Sequence, residues 1–534
     1  MKTDKTDRSK SVWRAAGIVS FAFVVSRVLG LGRQMVINGL YGASSIEATA
    51  YETASRFPEL IFFVIAGGAL GSAFIPTFAQ YWEEEGEPAA WQLFSGVVNL
   101  VVVATVVVVG ITALMAPQIV LFFLGDLVGG TPELFDLTVV LLRIMLLTPI
   151  IFGISGVVMA TLNARYHFAM PAIAPIIYNI GIIVGALVWA PNVKGLAVGM
   201  VLGALGHLLV QLPALRAEGV EYHLSVSLQD KGIRQVLRLM APRVLGLSFS
   251  QINHLITTFL AQSMVLGSIP ALGIAWRVML LPQGVLGQAL GIATFPTLSA
   301  MAVGAKWAEM RQLIAQSLRS IFFLGLPATL QLMFLREQVV ALLFERGQFT
   351  AADTILVADT LFFFALGITA LSALEVIARA FYALQDTTTP VVAGGMQLLL
   401  MGVLGYILGQ WLFPSWSLLP VGGLALAVTL SNFMEVGILL WLLGQRIEGI
   451  DGEYLWAGAW RMMVCGLGLA VVTWLSLLLL GDVWVVTELV VAGVIGGLAY
   501  IGLAWWMGLD ELNLLIRLGE RILGRVKGLW NRFI

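Results

Sequence analysis

Charge is what this chain of 534 residues has least of: Asp, Glu, Lys and Arg together make up 11% of it, against roughly 25% in a soluble globular protein. So few polar side chains could not clothe the core of a soluble chain this long, which excludes a cytosolic enzyme. Cysteine is almost missing too. The lone Cys465 sits in an apolar run (RMMVCGLGLAVV), so neither a secreted disulfide scaffold nor a Cys-based metal site is available. No HExxH, no GxxxxGK[ST] and no paired cysteines occur, which leaves an NTP-driven mechanism within this chain without a motif. A net charge of −1 gives no argument for nucleic acid.

What the chain has instead is hydrocarbon. The 59% hydrophobic fraction is about 315 residues, enough for roughly 14 bilayer crossings at ~20–22 residues each. A single-span receptor is excluded. Apolar runs bounded by polar or Pro/Gly breaks predict helices over 12–35, 57–80, 91–115, 133–160, 171–190, 195–214, 239–264, 272–299, 311–335, 354–383, 389–413, 420–444, 458–480 and 484–508. The runs are continuous and lack the period-two alternation of a membrane barrel. The expected fold class is an all-α polytopic membrane protein. The polar start, MKTDKTDRSKSVWRAAG, leads into an apolar run without a small-residue cleavage site and reads as a retained cytoplasmic tail.

Lys and Arg set the expected orientation. With the N-terminus inside, 17 loop and tail basic residues fall on the cytoplasmic side, Arg165, Arg216, Lys231, Lys306 and Arg446 among them, and only Lys194, Arg336 and Arg346 fall outside. Both termini are then cytoplasmic. The acidic run Glu83–Glu87 lies inside, where a solvated loop accounts for it, since the rule counts bases and not net charge.

An internal repeat organises the chain. Ala69-Leu70-Gly71-Ser72-Ala73-Phe74-Ile75-Pro76-Thr77 matches Ala289-Leu290-Gly291-Ile292-Ala293-Thr294-Phe295-Pro296-Thr297 at an offset of 220, and the linker before Pro171 corresponds to the one before Pro390 at 219. An offset of six helices keeps two halves parallel, with a symmetry axis along the membrane normal. The expected division is an N-lobe over 1–214, a cytoplasmic linker over 215–238, a C-lobe over 239–444 and helices 13 and 14 over 445–509. Residues 510–534 form an amphipathic cytoplasmic helix, apolar at Leu512, Leu515, Ile516, Ile522, Leu523 and Trp530, with a basic stripe at Arg517, Arg521 and Arg525.

Two lobes without a catalytic box suggest a transporter, and misplaced charge suggests its cargo. Each charge in hydrocarbon costs roughly 2.5–3.5 kcal/mol or more, yet ten basic residues lie in or at the edges of the predicted spans: Arg14, Arg27, Arg33, Arg56, Arg143, Arg243, Arg277, Arg319, Arg379 and Arg461. Acidic residues at such depth are fewer, Glu375 and Glu435 being the clearest. Guanidinium forks grip phosphate oxygens bidentately, so Arg27, Arg33, Arg56 and Arg277 around a cavity would suit a pyrophosphate. Arg27 and Arg33 stand about 120° apart on an ideal helix; Gly30 and Gly32 would let it bend so that both face one side. Arg56, expected to begin helix 2, could equally pair with Glu52 or Glu59. Arg14, Arg319 and Arg461 read as snorkelling to headgroups. Arg243, Asn179, Gln251 and Asn253 are candidate cavity-lining residues, with interhelical hydrogen bonding as the plainer role for the amides. His207 reads as a satisfied core histidine, and Asp386 and Glu435 as structural acids or cation sites.

The chain resembles the MurJ/MviN lipid II flippases of the multidrug/oligosaccharidyl-lipid/polysaccharide exporter superfamily. The resemblance covers nearly the whole chain and rests on SRVLG at 26–30 with Arg33, FP at 57–58, AFIP at 73–76, LN at 162–163, FxxPA at 168–172, APxxxN at 174–179, SQI at 250–252, GVLGQALG at 284–291, GQFT at 347–350 and FYALQDTTTP at 381–390. It implies a two-lobed, non-enzymatic carrier in the bacterial inner membrane that moves undecaprenyl-pyrophosphate-linked disaccharide-pentapeptide to the outer leaflet by alternating access. Ser26, Arg27, Arg33, Arg56 and Arg277 would be its substrate-binding residues, and helices 13 and 14 a groove for the lipid tail. Implied partners are the lipid-linked anionic glycan, membrane lipids and the cell-wall synthesis machinery, with no metal or other cofactor; membrane potential, sodium and protons stay open as driving forces.

The chain departs from the family pattern at Gln34, Thr49 and Trp276, where acidic residues are expected at or beside the position, and at Phe62 and Phe63, where a basic one is. Glu47, Glu52 or Glu59 could replace a lost acidic gate. These departures keep a flippase for another lipid-linked glycan open. A drug/cation antiporter of the same superfamily should show acidic residues in the first lobe, and a membrane glycosyltransferase should show clustered acidic metal ligands in a loop; neither pattern stands out.

Overall fold

The structure, a computed structural model, describes the backbone of residues 3–65, 68–129, 131–224, 229–481 and 483–512; among these, the side chains of 3–20, 68–70, 72, 241–243 and 245–247 are outside the description. Among the described residues there are helices and connecting turns and no strand. The predicted runs fall largely on helix, though 57–80 is shared between two helices, Ile46–Ile65 and Gly68–Glu84; by length and apolarity alone ten helices among the described residues qualify as membrane spans, or eleven if the bent pair Ala351–Ala365 and Ile368–Ala383 counts as one. The chain divides into two compact units, Met1–Pro270 with Phe344–Asp353, and Ala271–Leu343 with Thr354–Ile534.

The first unit contains α1 (Thr3–Tyr41), α2 (Ile46–Ile65), α3 (Gly68–Glu84), α4 (Glu87–Leu114), α5 (Ala116–Val128), α6 (Pro132–Met145), α7 (Leu147–Ala164), α8 (Ala169–Val188), α9 (Lys194–Leu209), α10 (Leu212–Ala217) and α11 (Lys231–Ala261). Its core is an aromatic and aliphatic cluster of α3, α4, α7 and α11, with Phe74, Phe78 and Trp91 fully buried. Gly181 and Gly185 of α8 face Gly199 and Gly203 of α9 so closely that a methyl carbon at Gly199 would stand 2.7 Å from the Gly181 carbonyl oxygen and 2.8 Å from Gly185 Cα. Small residues admit this backbone approach, which replaces the hydrophobic drive that lipid cannot supply. In the same unit His207 Nδ1, Ser155 Oγ and Gln211 Nε2 form a buried polar set, with Ser155 Oγ 2.7 Å from the imidazole and 2.8 Å from the amide. His207 is thus the satisfied core histidine expected.

The second unit runs through α12 (Ser268–Gln283), a π-helical turn at Gly284–Gln288, α13 (Ala289–Val303), α14 (Trp307–Phe334), α15 (Arg336–Phe344), α16 (Ala351–Ala365), α17 (Ile368–Ala383) and α18 (Thr388–Tyr406). A second π turn at Ile407–Leu412 leads into α19 (Phe413–Ser415), followed by α20 (Pro420–Arg446), α21 (Gly452–Leu480) and α22 (Val485–Trp506). Its main core joins Leu298, Met310, Ile314, Ile377, Phe381, Ala393 and Leu439. A separate cluster of Phe323, Met462, Cys465, Leu469 and Tyr500 holds α21 and α22 to α14, where Tyr500 Oη donates to the Phe323 carbonyl at 2.9 Å.

The two linkers of the repeat share a backbone turn. Tyr166 and Gln385, 219 positions apart, both adopt the left-handed conformation, at φ 62° and 59°. The next amide closes the same six-residue ring in each: His167 N to Leu162 O at 2.8 Å and Asp386 N to Phe381 O at 2.9 Å. This helix-ending motif satisfies carbonyls that would otherwise be orphaned, and the same ring also closes at Ala305, Ser417 and Glu448, so the shared turn is a common helix end here rather than a signature of the two linkers alone. In the first copy Glu218 receives Arg165 Nε and His167 Nε2, each at 2.6 Å, while the Arg165 guanidinium lies 3.8 Å over the Trp82 ring. In the second, Asp386 caps α18 through Thr388 and Thr389 and pairs with Arg446 at 2.8 Å.

Several expectations need correction. Helix 2 begins at Ile46 rather than 57, because ATAYETAS is too polar to register as a span; Ser45 Oγ caps it by accepting Ala48 N at 3.0 Å. The predicted run 133–160 is broken at Leu146, and 354–383 bends by 44° at Leu366–Gly367. Helices α5 and α15 occupy stretches read as connections. Arg319 does not snorkel: it is 8% exposed, its Nε lies 2.5 Å from Glu511, and its guanidinium lies 4.1 Å over Tyr454. Beyond Leu512, the amphipathic helix expected over 510–534 lies outside the described residues.

Two measurements check this packing. Gly199→Val should force α8 and α9 apart at about 1–3 kcal/mol, read as a lower temperature of aggregation of the detergent-solubilised chain; an unchanged temperature would show that the helices do not touch there. Burial pushes the Glu218 carboxyl up, but the hydrogen bond and charge of Arg165, then those of His167, outweigh it and hold the group below the usual 4.5. A depressed carboxylate lends stability above its unfolded value that is lost as pH falls through the folded one. Thermal stability should therefore fall as pH drops below about 4.5, and Glu218→Gln should flatten that fall.

Candidate functional site

In the first unit α1 is continuous from Thr3 to Tyr41, with no break at Gly30 or Gly32. The helix does not unwind there, and the two side chains differ sharply. Arg27 is exposed on a face shared with Phe23, Val24 and Val28, its guanidinium 5.0 Å over the Phe23 ring. Ser26, half-buried, stands beside it. Arg33 lies one turn from Gly30, which faces α8: a methyl carbon there would meet Asn179 Oδ1 at 4.0 Å.

Arg33 is the unusual residue. Its side chain is half-buried, its Nε is shielded from solvent without an acceptor, and it has neither hydrogen bond nor ion pair among the described residues. Tyr178 of α8 is its electrostatic neighbour. An unmet buried donor on a charged group is costly, so an anion arriving here would find one donor, Nε, already shielded from water. Asn179, 7% exposed on the same α1–α8 contact, returns Nδ2 to the Pro175 carbonyl at 2.9 Å. Its donor is therefore spent within the helix.

Arg56 answers its own question differently. It stands mid-helix in α2, not at its start, 7% exposed, with Nη2 2.6 Å from Glu52 Oε1 and Nη1 3.9 Å from Glu59 Oε2. The i, i+4 pairing seen in the sequence as the plainer alternative is what occurs. Gln251 of α11 is buried and Asn253 half-buried, both within the first unit; the side chain of Arg243 lies outside the described residues. The remaining expected arginine, Arg277, is half-buried in α12 of the second unit, next to Trp276, whose ring meets Phe364 edge-on at 5.4 Å.

The family-pattern departures are packed as neutral residues. Gln34 Nε2 donates to Asn38 Oδ1 at 2.9 Å, Thr49 is fully buried, and Phe62 touches Phe63 and Phe152. Other arginines in helices are spoken for: Arg379 lies 2.5 Å from Glu375, and Arg143 donates to the Ala113 carbonyl at 3.2 Å. Asp386, a candidate cation site, directs its oxygens to α18 and Arg446.

A chain that is apolar and helical throughout its described residues has the makings of a polytopic membrane protein, and solved structures share its fold. The structure matches that titled "Lipid II flippase MurJ, inward closed conformation" at a TM-score of 0.77 and 23% identity, covering 92% of this chain and 99% of that one. It also matches an inward-facing multidrug resistance MATE family transporter of the MOP superfamily at 0.66 and 14%, covering 81% and 98%. These likenesses define the fold. Sequence defines the family. The profile described as "Lipid II flippase MurJ" matches residues 37–495. The probable lipid II flippase MurJ of Vibrio cholerae is 32% identical over 454 residues, 83% of this chain and 84% of that protein, and the lipid II flippase MurJ of Burkholderia cenocepacia is 30% identical over 389, covering 71% and 75%. The chain belongs to the MurJ lipid II flippase family.

The two buried arginines separate in their expected effects. Arg56→Ala strands the Glu52 carboxylate and should cost about 3–5 kcal/mol, with Glu52→Gln in the same chain recovering much of it. Arg33→Ala removes no partner and should leave thermal stability within about 0.5 kcal/mol. Equal losses in the two variants, measured as unfolding of purified protein, would show that Arg33 is structurally paired.

Proposed function

We propose that this chain moves undecaprenyl-pyrophosphate-linked disaccharide-pentapeptide from the cytoplasmic to the outer leaflet of the bacterial inner membrane. Family membership supports the substrate class. The observation that carries the site is Arg33, a half-buried guanidinium without an acceptor among the described residues. The pyrophosphate supplies the missing oxygens, with Arg27 and Ser26 of α1 as further donors. Arg56 contributes only where the pyrophosphate displaces the Glu52 carboxylate from its guanidinium. Binding cancels repulsion among the arginines and so favours the closed intermediate over open states, the differential affinity that alternating access requires.

In this reading the lobes are 1–214 and 239–444, the region 445–509 receives the lipid tail, and both termini face the cytoplasm as the excess of inside Lys and Arg directs. The chain acts as a carrier rather than an enzyme and works beside the cell-wall synthesis machinery. Carriage of a different lipid-linked glycan is the second reading, favoured by the neutral packing of Gln34, Thr49, Phe62 and Trp276.

Complementation of a strain depleted of its lipid II flippase, with an assay for lipid II exposed in the outer leaflet, tests both. Rescue by the parent chain, lost in Arg33→Ala and weakened in Arg27→Ala at equal membrane levels, is the expected result. No rescue despite normal insertion would transfer the assignment to another lipid-linked glycan. Full rescue by Arg33→Ala would remove the arginine site.

A further inference from the structure

Several acids in the helices of the second unit have partners, and one buried acid among the described residues does not. Glu375 pairs with Arg379, Glu511 with Arg319, and Glu488 accepts Gln338 Nε2 at 2.8 Å. Glu435, in the middle of α20, is 8% exposed and has no hydrogen bond or ion pair among the described residues. A bare carboxylate there would bear the full desolvation penalty, several kcal/mol. Such a group escapes the penalty by taking up a proton.

The surroundings give the proton a route. Beside α17 opens a groove of about 340 Å³ lined by Phe295 of α13 and by Leu374, Glu375, Ala378, Arg379 and Tyr382. Glu375, Arg379 and Tyr382 follow one another at helical spacing along its wall. Tyr382 is 45% exposed and lies within electrostatic reach of Arg379, Glu375 and Glu435 together. The groove is thus open to water at a phenol that lies within electrostatic reach of the isolated acid.

We propose that Glu435 is a proton-binding site of the second unit, loaded from water in the α13–α17 groove by way of Tyr382. A carboxylate oxygen of Glu435 takes H+ from hydronium and leaves water. Arg379 stays on Glu375, so no second cation is displaced. The groups that face the site are few: Glu375, Arg379 and Tyr382 from α17, and Gln397 from α18, which is held by Ser431 at 2.8 Å. On α20 itself the neighbours are Ser431 and Asn432, and the charged Arg446 is paired with Asp386. None of these supplies a free positive charge to keep the carboxylate ionised. Resting on the carrier reading, the proton is the coupling ion: the neutral and ionised forms of Glu435 favour different packings of α20 against α17.

The test has two readouts on the full chain in lipid vesicles. Infrared difference spectra across a pH titration should show a protonated-carboxyl stretch at neutral pH that fades as pH rises. The band should be missing in Glu435→Gln, or in Glu435→Leu if the amide is not accommodated, and should return at a shifted position in Glu435→Asp. A band that persists unchanged in Glu435→Gln, absence of the band in the parent chain, or its displacement by sodium at fixed pH would overturn the assignment. Second, an imposed gradient of one pH unit is worth about tenfold for one proton per cycle, and lipid-linked substrate translocation should follow it in the parent chain but not in Glu435→Gln. Translocation in the parent that ignores the gradient overturns the coupling role. No translocation at all refutes the carrier reading instead, while the infrared result still decides the proton site.

Discussion

An ionised side chain moved from water into hydrocarbon loses more than any one packing contact returns, and that asymmetry orders nearly every charge in this chain. Arg319 meets Glu511, Arg379 meets Glu375 and Arg56 meets Glu52, each within 2.6 Å. Once these are set aside, what remains is informative because so little remains. Arg33 and Glu435 are left with opposite unmet needs, one lacking an anion and the other a cation. A protein that only had to fold would have replaced both with apolar residues of like volume, at little cost or some gain in stability.

The pairs also explain how the helices are kept in register without a hydrophobic drive between them. Lipid is as apolar as leucine, so close approach and internal hydrogen bonds must supply specificity. The first unit uses glycines between α8 and α9 and the Ser155, His207 and Gln211 set. The second uses Gln397 to Ser431, Thr429 Oγ1 to the Phe363 carbonyl at 2.9 Å, and Gln331 Nε2 to the Gly493 carbonyl at 2.8 Å. The π turns at Gly284–Gln288 and Ile407–Leu412 interrupt the second unit's helices at glycine-bearing sequences, where a wide turn meets least steric resistance.

The helical class was legible because hydropathy is additive over a span, and the repeat because turns are short and chemically distinctive: Tyr166 and Gln385 could be paired by offset before their shared backbone angle was known. What hydropathy missed has a common cause. The first turns of α2 are polar, and α5 is too short to cross a membrane, so neither stands out when apolar residues are counted along the chain. At the candidate site the sequence singled out a set of arginines but could not sort them. Glu52 and Glu59 stand near Arg56 in sequence and capture it. Nothing comparable lies near Arg33, and that contrast, visible as the absence of an acid at i±3 or i±4, was the available signal. Arg319 was misread because its partner Glu511 is 192 positions away, beyond any local pattern.

The segment Phe344–Asp353 packs with the first unit although the chain on both sides of it belongs to the second. It is fastened there by Asp353, whose carboxylate receives Ser44 N at 2.9 Å and Thr350 N at 3.0 Å, and by Gln348 N to the Gly39 carbonyl at 2.8 Å. During synthesis, then, the turn between α1 and α2 waits. Its last strap arrives only after residues 271–343 have been made and threaded into the bilayer, so the half that is translated first stays unfinished until the second is well under way.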